Sequence, residues 1–307
     1  TQTTLDYADR VHAESSEKFM VVSQNTHATE AGYEILSKGG NAVDAAVAVG
    51  FALAVTLPRA GNLGGGGFML IYNKENNKVE TIDYRSAAPR SAKSEMFING
   101  ESNVVRFGHL VNAVPGSVAG LIKAHNIHGK LGLAEVMKPA IRLAKNGIPV
   151  THELHYALEW SKESLLENVT SKNKFYDKEE NPVEVTSLFK QPKLAKTLFL
   201  ISRKGKKAFY EGEIAKWIEE DSLSNGGLIT LQDLKSYEAK DRKPISINYR
   251  GYEVVSMAPV ASGGLVLLQI MSILENFNLE KLGQNSAEII HLLSESMQRA
   301  YADRARY

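Results

Sequence analysis

The most constraining stretch of this chain is a helix–glycine–strand succession between Asn41 and Tyr72. From Ala42 to Leu57 runs the longest apolar stretch, which carries Asp44 and Gly50, and Pro58-Arg59 closes it. Sixteen residues fall short of the ~20 that a membrane-spanning helix needs, so the stretch reads as a core helix, apolar all round. Asn41 is a good N-cap, and Asp44 at N3 meets free amides and the positive helix end. Then follows Gly61-Asn62-Leu63-Gly64-Gly65-Gly66-Gly67, and after it the buried-strand pattern Phe68-Met69-Leu70-Ile71-Tyr72. Nine of the 24 glycines lie between Gly32 and Gly67, so the loop is more than a linker. A phosphate-binding loop runs from strand through glycines into a helix and carries Lys-Ser/Thr after its last glycine. The order here is reversed, Phe68-Met69 follows, and no helix N-terminus is expected at the loop exit, which removes the anion-binding mechanism. Two needs remain for the glycines: positive φ in a tight packing turn, or close approach of another backbone.

Around this segment the periodicities predict a helix over Thr26–Ser37, capped by Thr26, with Gly39 just past its end. Val79–Tyr84 reads as a hairpin partner of Phe68–Tyr72 across Asn76-Asn77. Helical spacing marks Leu121–Ile127, Ala134–Lys145, Glu153–Val169 and Leu194–Lys204, and the charged Ser171–Pro182 reads as an exposed loop. Ile245–Tyr249 and Tyr252–Met257 alternate around Arg250-Gly251 as a second hairpin. An apolar helix over Leu265–Phe277 precedes a last helix that opens at Asn285 with Glu288 at N3. That helix keeps its period to Tyr307 without a stop signal, which predicts a C-terminally incomplete chain. Thr1–Met20 is polar and lacks a signal-peptide core, and a start at Thr1 without Met implies a segment already removed. No internal repeat or low-complexity tract interrupts the chain, and residues 1–307 read as a single domain.

Composition excludes several chemistries. The 307 residues hold no cysteine, so disulfides, thiolate nucleophiles, zinc–thiolate sites and iron–sulfur clusters are out. Lys+Arg 36 against Asp+Glu 35 leaves a net charge of +1, a near-neutral balance that argues against nucleic acid or an anionic membrane as the main partner. His152 and His155 are three apart, not the zincin four, and His125 and His128 share a helix end without an acid between them. There is no Gly-x-Ser-x-Gly elbow. Ser15-x-x-Lys18 and Ser171-x-x-Lys174 match a short serine–lysine pattern that chance explains.

One side chain stands out. Arg85 follows an apolar strand and precedes Ser86-Ala87-Ala88-Pro89. A guanidinium on a rigid strand end, beside small residues, is a planar fork suited to a carboxylate in an adjacent cleft. The competing reading is a structural arginine paired with Asp83 or another acid.

The residues Gly39-Gly40-Asn41-Ala42-Val43-Asp44-Ala45-Ala46-Val47-Ala48 and Gly61–Leu70 resemble the large chain of bacterial gamma-glutamyltranspeptidases. The likeness continues through Asp83-Tyr84-Arg85, Val114-Pro115-Gly116-Ser117-Val118-Ala119-Gly120, Pro139–Ala144, Ala208–Gly212, Asn225–Thr230, Tyr249–Tyr252 and Tyr301–Arg304, from about Val21 to Tyr307. The resemblance implies an α+β fold of the N-terminal-nucleophile hydrolase class, a four-layer αββα sandwich completed by a separate small subunit. It implies γ-glutamyl transfer or hydrolysis of glutathione and other γ-glutamyl compounds, in a precursor that cuts itself in two. The threonine exposed at the start of the small subunit would be the nucleophile, so no catalytic residue is expected in this chain. Arg85 alone carries over, as the residue that binds the α-carboxylate of the γ-glutamyl group. No cofactor and no metal are implied. The implied partners are the small subunit, a small-molecule donor, and water or an acceptor amino acid; nucleic acid and a membrane span are not among them. A periplasmic or secreted location is implied. Alternatives are a poly-γ-glutamate or glutaryl-acyl hydrolase on the same scaffold, or a non-catalytic exported amino-acid-binding protein. One departure is visible: Ala258-Pro259-Val260-Ala261-Ser262-Gly263-Gly264 stands where many relatives have a proline-rich, double-serine run.

Overall fold

The computed structural model describes residues 14–99 and 103–306. The start of the polar opening stretch, residues 1–13, and Tyr307 lie outside them. Contacts divide the chain into two compact units, residues 1–62 with 128–203, and residues 63–127 with 204–307.

The first unit is built on α1 (Thr26–Ser37) and α2 (Ala42–Thr56), with the Leu133–Asn146 helix against both. Helix α2 is buried almost all round, as its composition requires. The Asn41 side chain accepts from the amides of Val43 and Asp44, and the Asp44 carboxylate accepts back from the Asn41 amide at 3.0 Å. This reciprocal capping box follows the sequence expectation. Asp44 also accepts from the amides of Lys130 at 3.0 Å and Leu131 at 3.2 Å, so one fully buried carboxylate ties the helix start to a distant loop. The cap of α1 is Asn25, one residue earlier than expected: its side chain accepts from the Ala28 amide. Gly39 follows the helix with φ +86°, the left-handed stop that glycine permits. A satellite core of Ile148, Val150, Leu154, Leu158, Tyr176 and Phe189 packs nearby. The expected Glu153–Val169 helix breaks into His152–Trp160 and Lys162–Leu166. The expected loop after it begins instead with a helix, Val169–Phe175, because the Asn168 side chain caps it through the Ser171 amide.

In the second unit, β1 (Phe68–Asn73) and β2 (Lys78–Asp83) form the expected hairpin, turning at Asn77 with φ +53°. Helix α3 (Ser117–His128) follows. Strand β3 (Lys240–Arg242) joins the free edge of β2, in the order β1-β2-β3 and antiparallel throughout. Strands β4 (Ile245–Tyr249) and β5 (Tyr252–Ser256) form the second hairpin, with Arg250 and Gly251 both at positive φ as a tight two-residue turn demands. The hairpin packs on the Ser262–Leu274 helix, which packs on the last helix, Ala287–Arg306. Ser286, not Asn285, caps that last helix, its hydroxyl accepting from the Ile289 amide.

Candidate functional site

Strand β2 is central in its sheet, and its ladder with β3 ends at Asp83 opposite Lys240. The ladder with the glycine loop runs one residue further, where the Tyr84 amide donates to the Gly67 carbonyl at 3.0 Å. Arg85 is therefore the first residue of this segment that no sheet ladder holds. Its side chain is exposed at a cleft of about 450 Å³, lined among others by Asp83, Arg90, Asp233, Tyr237, Lys240 and Arg242.

Of the three acids of this cleft, Glu238 is exposed, and Asp83 and Asp233 are committed elsewhere. Asp83 is only 6% exposed, and one of its oxygens receives both Nε and Nη2 of Arg242, at 3.1 and 3.0 Å. Arg242 sits opposite Thr81, on the same face as Asp83, so the pair is a diagonal cross-strand contact. The second Asp83 oxygen accepts from the Arg85 backbone amide at 3.0 Å. Asp233 belongs to a capping box with Thr230 and accepts from the Arg90 amide at 3.0 Å. Burial pushes its carboxyl up, but these donors outweigh burial and hold its pKa below the ordinary value. Among the described residues no carboxylate pairs with the Arg85 guanidinium. Asp83, the structural partner that the sequence offers, is already held by Arg242.

Two tyrosines and three glycines set the backbone that carries Arg85. The Tyr237 hydroxyl donates to the Arg85 carbonyl at 2.8 Å. Burial, with the nearby Asp83 charge and Tyr84, pushes the Tyr237 pKa up to about 12, so the hydroxyl keeps its proton and donates. Its ring stacks on Tyr210 at 5.7 Å, and the Tyr210 hydroxyl donates to the Pro115 carbonyl at 2.8 Å. A Cβ on Gly66 would lie 2.4 Å from the Ser86 nitrogen and 2.7 Å from the Tyr84 oxygen. On Gly116 it would lie 1.9 Å from the Tyr84 oxygen, and on Gly120 2.0 Å from the Tyr84 ring. Close approach, not positive φ, explains Gly61, Gly66 and Gly67 of the glycine loop, and none of Gly61 or Gly64 to Gly67 has a positive φ. The loop does meet a helix start, contrary to expectation. The Gly65 carbonyl accepts from the amides of Gly116 and Ser117 at 2.7 and 3.0 Å, so the loop itself fills the start of α3.

None of the weaker sequence candidates lines this cleft. His155 donates through Nδ1 to the Val183 carbonyl at 2.9 Å. Lys174 donates to the Lys190 carbonyl at 2.7 Å and lies over the Phe189 ring. No cluster of three or more His, Asp or Glu that could hold a metal occurs among the described residues, and no helix there is long and apolar enough to cross a membrane. The divergent Ala258–Gly264 segment contributes Val260 to the cleft wall. Tyr237 and Arg242 carry no local sequence signal, because their partners lie over 150 residues away.

Comparison with known proteins gives these observations a frame. The family model described as gamma-glutamyltranspeptidase matches residues 28–307. The Escherichia coli K12 glutathione hydrolase proenzyme is 44% identical over 303 residues, which is 97% of this chain and 52% of that protein. The chain thus spans about half the length of the curated relatives it matches. A solved Helicobacter pylori gamma-glutamyltranspeptidase superposes with a TM-score of 0.92 at 41% identity, covering 96% of this chain and 86% of that one. The Bacillus anthracis transpeptidase enzyme CapD superposes with a TM-score of 0.79 at 32% identity, covering 95% and 93%. The mixed helix-and-sheet fold is that of the N-terminal-nucleophile hydrolases.

Proposed function

We propose, for a chain that belongs to the gamma-glutamyltranspeptidase family, that it is the large-subunit part of an enzyme moving the γ-glutamyl group of glutathione and related amides to water or an acceptor amine. The reaction is an acyl transfer in two halves. A threonine hydroxyl on the small subunit attacks the γ-amide carbonyl, with its own α-amine taking the proton. The amine product leaves protonated, and the γ-glutamyl ester passes to water or to an acceptor amine. Self-cleavage of a common precursor supplies that threonine, and relatives named as proenzymes support this reading. No metal or cofactor enters, and the site of action is periplasmic or extracellular.

The contribution of this chain is Arg85. The observation that carries the proposal is an arginine whose backbone is held just past a strand end and whose side chain is exposed to a cleft, while the adjacent Asp83 is occupied by Arg242. Such a guanidinium is available to a planar anion, and the α-carboxylate of a γ-glutamyl donor is one. Half-exposed leucines on the Ser262–Leu274 helix, Leu265 and Leu267, are consistent with a covering subunit. Turnover by the complete, self-cleaved protein of γ-glutamyl anilide against glutaryl anilide, which lacks both the α-amine and the α-carboxylate, tests the reading. Preference for the first, with a burst of aniline, supports it. Equal turnover of the two would reassign the enzyme to acyl donors that Arg85 does not recognise.

A further inference from the structure

We propose that Tyr237, together with the Asp83–Arg242 pair, acts as the positioning device for Arg85, fixing its backbone so that the guanidinium meets the donor's carboxylate in one orientation. The inference rests on the proposed role of Arg85 and extends it to residues that never touch substrate.

The Arg85 peptide sits where both sheet ladders have ended, and the next backbone pairing begins only at Ala87 with Val114. Its two polar groups are nevertheless both satisfied by side chains. The N–H donates to Asp83 Oδ1 at 3.0 Å, and the carbonyl accepts from the Tyr237 hydroxyl at 2.8 Å. Each clamp is itself held. Arg242 grips the other Asp83 oxygen with two nitrogens, and Tyr237, 7% exposed, stacks on the buried Tyr210. The absence of a Cβ at Gly116 leaves room for the hydroxyl, since an added carbon would stand 2.2 Å from it. Tyr237 lies outside the sheet ladders, which end before Arg85, while the Asp83–Arg242 pair bridges β2 and β3 and at the same time presents its second carboxylate oxygen to the Arg85 amide. Their geometry converges on one residue whose side chain has no structural partner among the described residues, which is the pattern of a support shell behind a binding group.

The test is made in the complete, self-cleaved protein with two donors, γ-glutamyl anilide and its α-carboxamide. Tyr237→Phe removes one hydroxyl and keeps the stacked ring. We expect kcat/KM for the free-carboxylate donor to fall about 3- to 10-fold, chiefly through KM, as for one lost hydrogen bond. The amidated donor should change less than twofold. Arg242→Lys, which keeps the charge but not the two-nitrogen grip, should show the same donor selectivity. In an Arg85→Ala background, Tyr237→Phe should add nothing for either donor. Equal losses on both donors, or additive losses in the double variant, overturn the positioning role while leaving Arg85 in place. An Arg85→Ala variant that is itself indifferent to the α-carboxylate overturns both readings together.

Discussion

Replacing Gly66 by alanine probes the packing that sets the site. The added Cβ would stand 2.4 Å from the Ser86 nitrogen, 2.7 Å from the Tyr84 oxygen and 2.9 Å from the Arg85 carbonyl carbon. All three are backbone atoms, so no side chain can swing aside. Ordinary contact for such atoms is about 3.5 Å, which requires a shift on the order of 1 Å. Overpacking of this kind costs about 1–3 kcal/mol, and reduced freedom of the unfolded chain offsets about 0.4–1 kcal/mol. A net destabilisation of about 1–2 kcal/mol lowers Tm by roughly 2–8 °C in a chain of this size. Gly263 is the internal control: it is helical, lacks positive φ and has nothing within 4 Å of an added Cβ. Gly263→Ala should therefore hold Tm or raise it by a few degrees. Both variants are melted at one fixed scan rate, because large chains often unfold irreversibly. The displaced peptide also carries Arg85, so Gly66→Ala should lower kcat/KM by ~10-fold or more, since ångström-scale misplacement of a binding group is that costly. A Gly66→Ala protein that melts at or above the wild-type temperature with full activity would refute the close-approach argument.

Two further outcomes follow from buried carboxylates. Asp44→Ala leaves the amides of Asn41, Lys130 and Leu131 without their acceptor, and should cost about 2–4 kcal/mol in denaturant unfolding; a loss below about 0.5 kcal/mol would show that water replaces the carboxylate. Asp233 has a depressed pKa in the folded state, so its contribution is present above the unfolded value of 3.8 and is lost as pH falls through the lower folded value. The stability gap between wild type and Asp233→Asn, about 1–2 kcal/mol near neutrality, should hold down to about pH 5 and close at more acidic pH; a gap that widens on acidification contradicts this assignment.

The features legible in the sequence are local ones. The capping box of Asn41 and Asp44 is a three-residue spacing, and the Arg250-Gly251 turn is a dipeptide, so both are visible in the order of residues alone. Near misses are also local: Asn25 caps α1 rather than Thr26, and Ser286 rather than Asn285 caps the last helix, because neighbouring polar residues have similar capping strength. Asn168 falls inside the helix expected over Glu153–Val169, so its role as the cap of a new helix, Val169–Phe175, is not read from spacing alone. Arg85 is legible as a strand-end cation, but its surroundings are not. The pairing of Asp83 with Arg242 spans 159 residues, and the hydrogen bond from Tyr237 to Arg85 spans 152. Nothing in local spacing encodes such contacts. The glycine loop reads as a packing feature, yet the segment it admits, Tyr84 to Ser86, emerges only when the chain is folded.

The central claim, that Arg85 holds the donor's α-carboxylate, is tested most directly by crossing wild type and Arg85→Ala with γ-glutamyl anilide and its α-carboxamide. A two-pronged arginine–carboxylate contact, desolvated once the donor binds, is worth about 2–4 kcal/mol when one partner is removed. Arg85→Ala should therefore lower kcat/KM for the free-carboxylate donor by about 30- to 1000-fold. Arg85→Lys should recover part of this, since an ammonium restores the charge and not the fork. Self-cleavage should survive in both variants, because an internal peptide bond presents no free α-carboxylate there. On the amidated donor the loss should shrink to a few-fold. If Arg85→Ala costs the same factor on both donors, Arg85 serves the fold and not the substrate, and the assignment of this site is wrong.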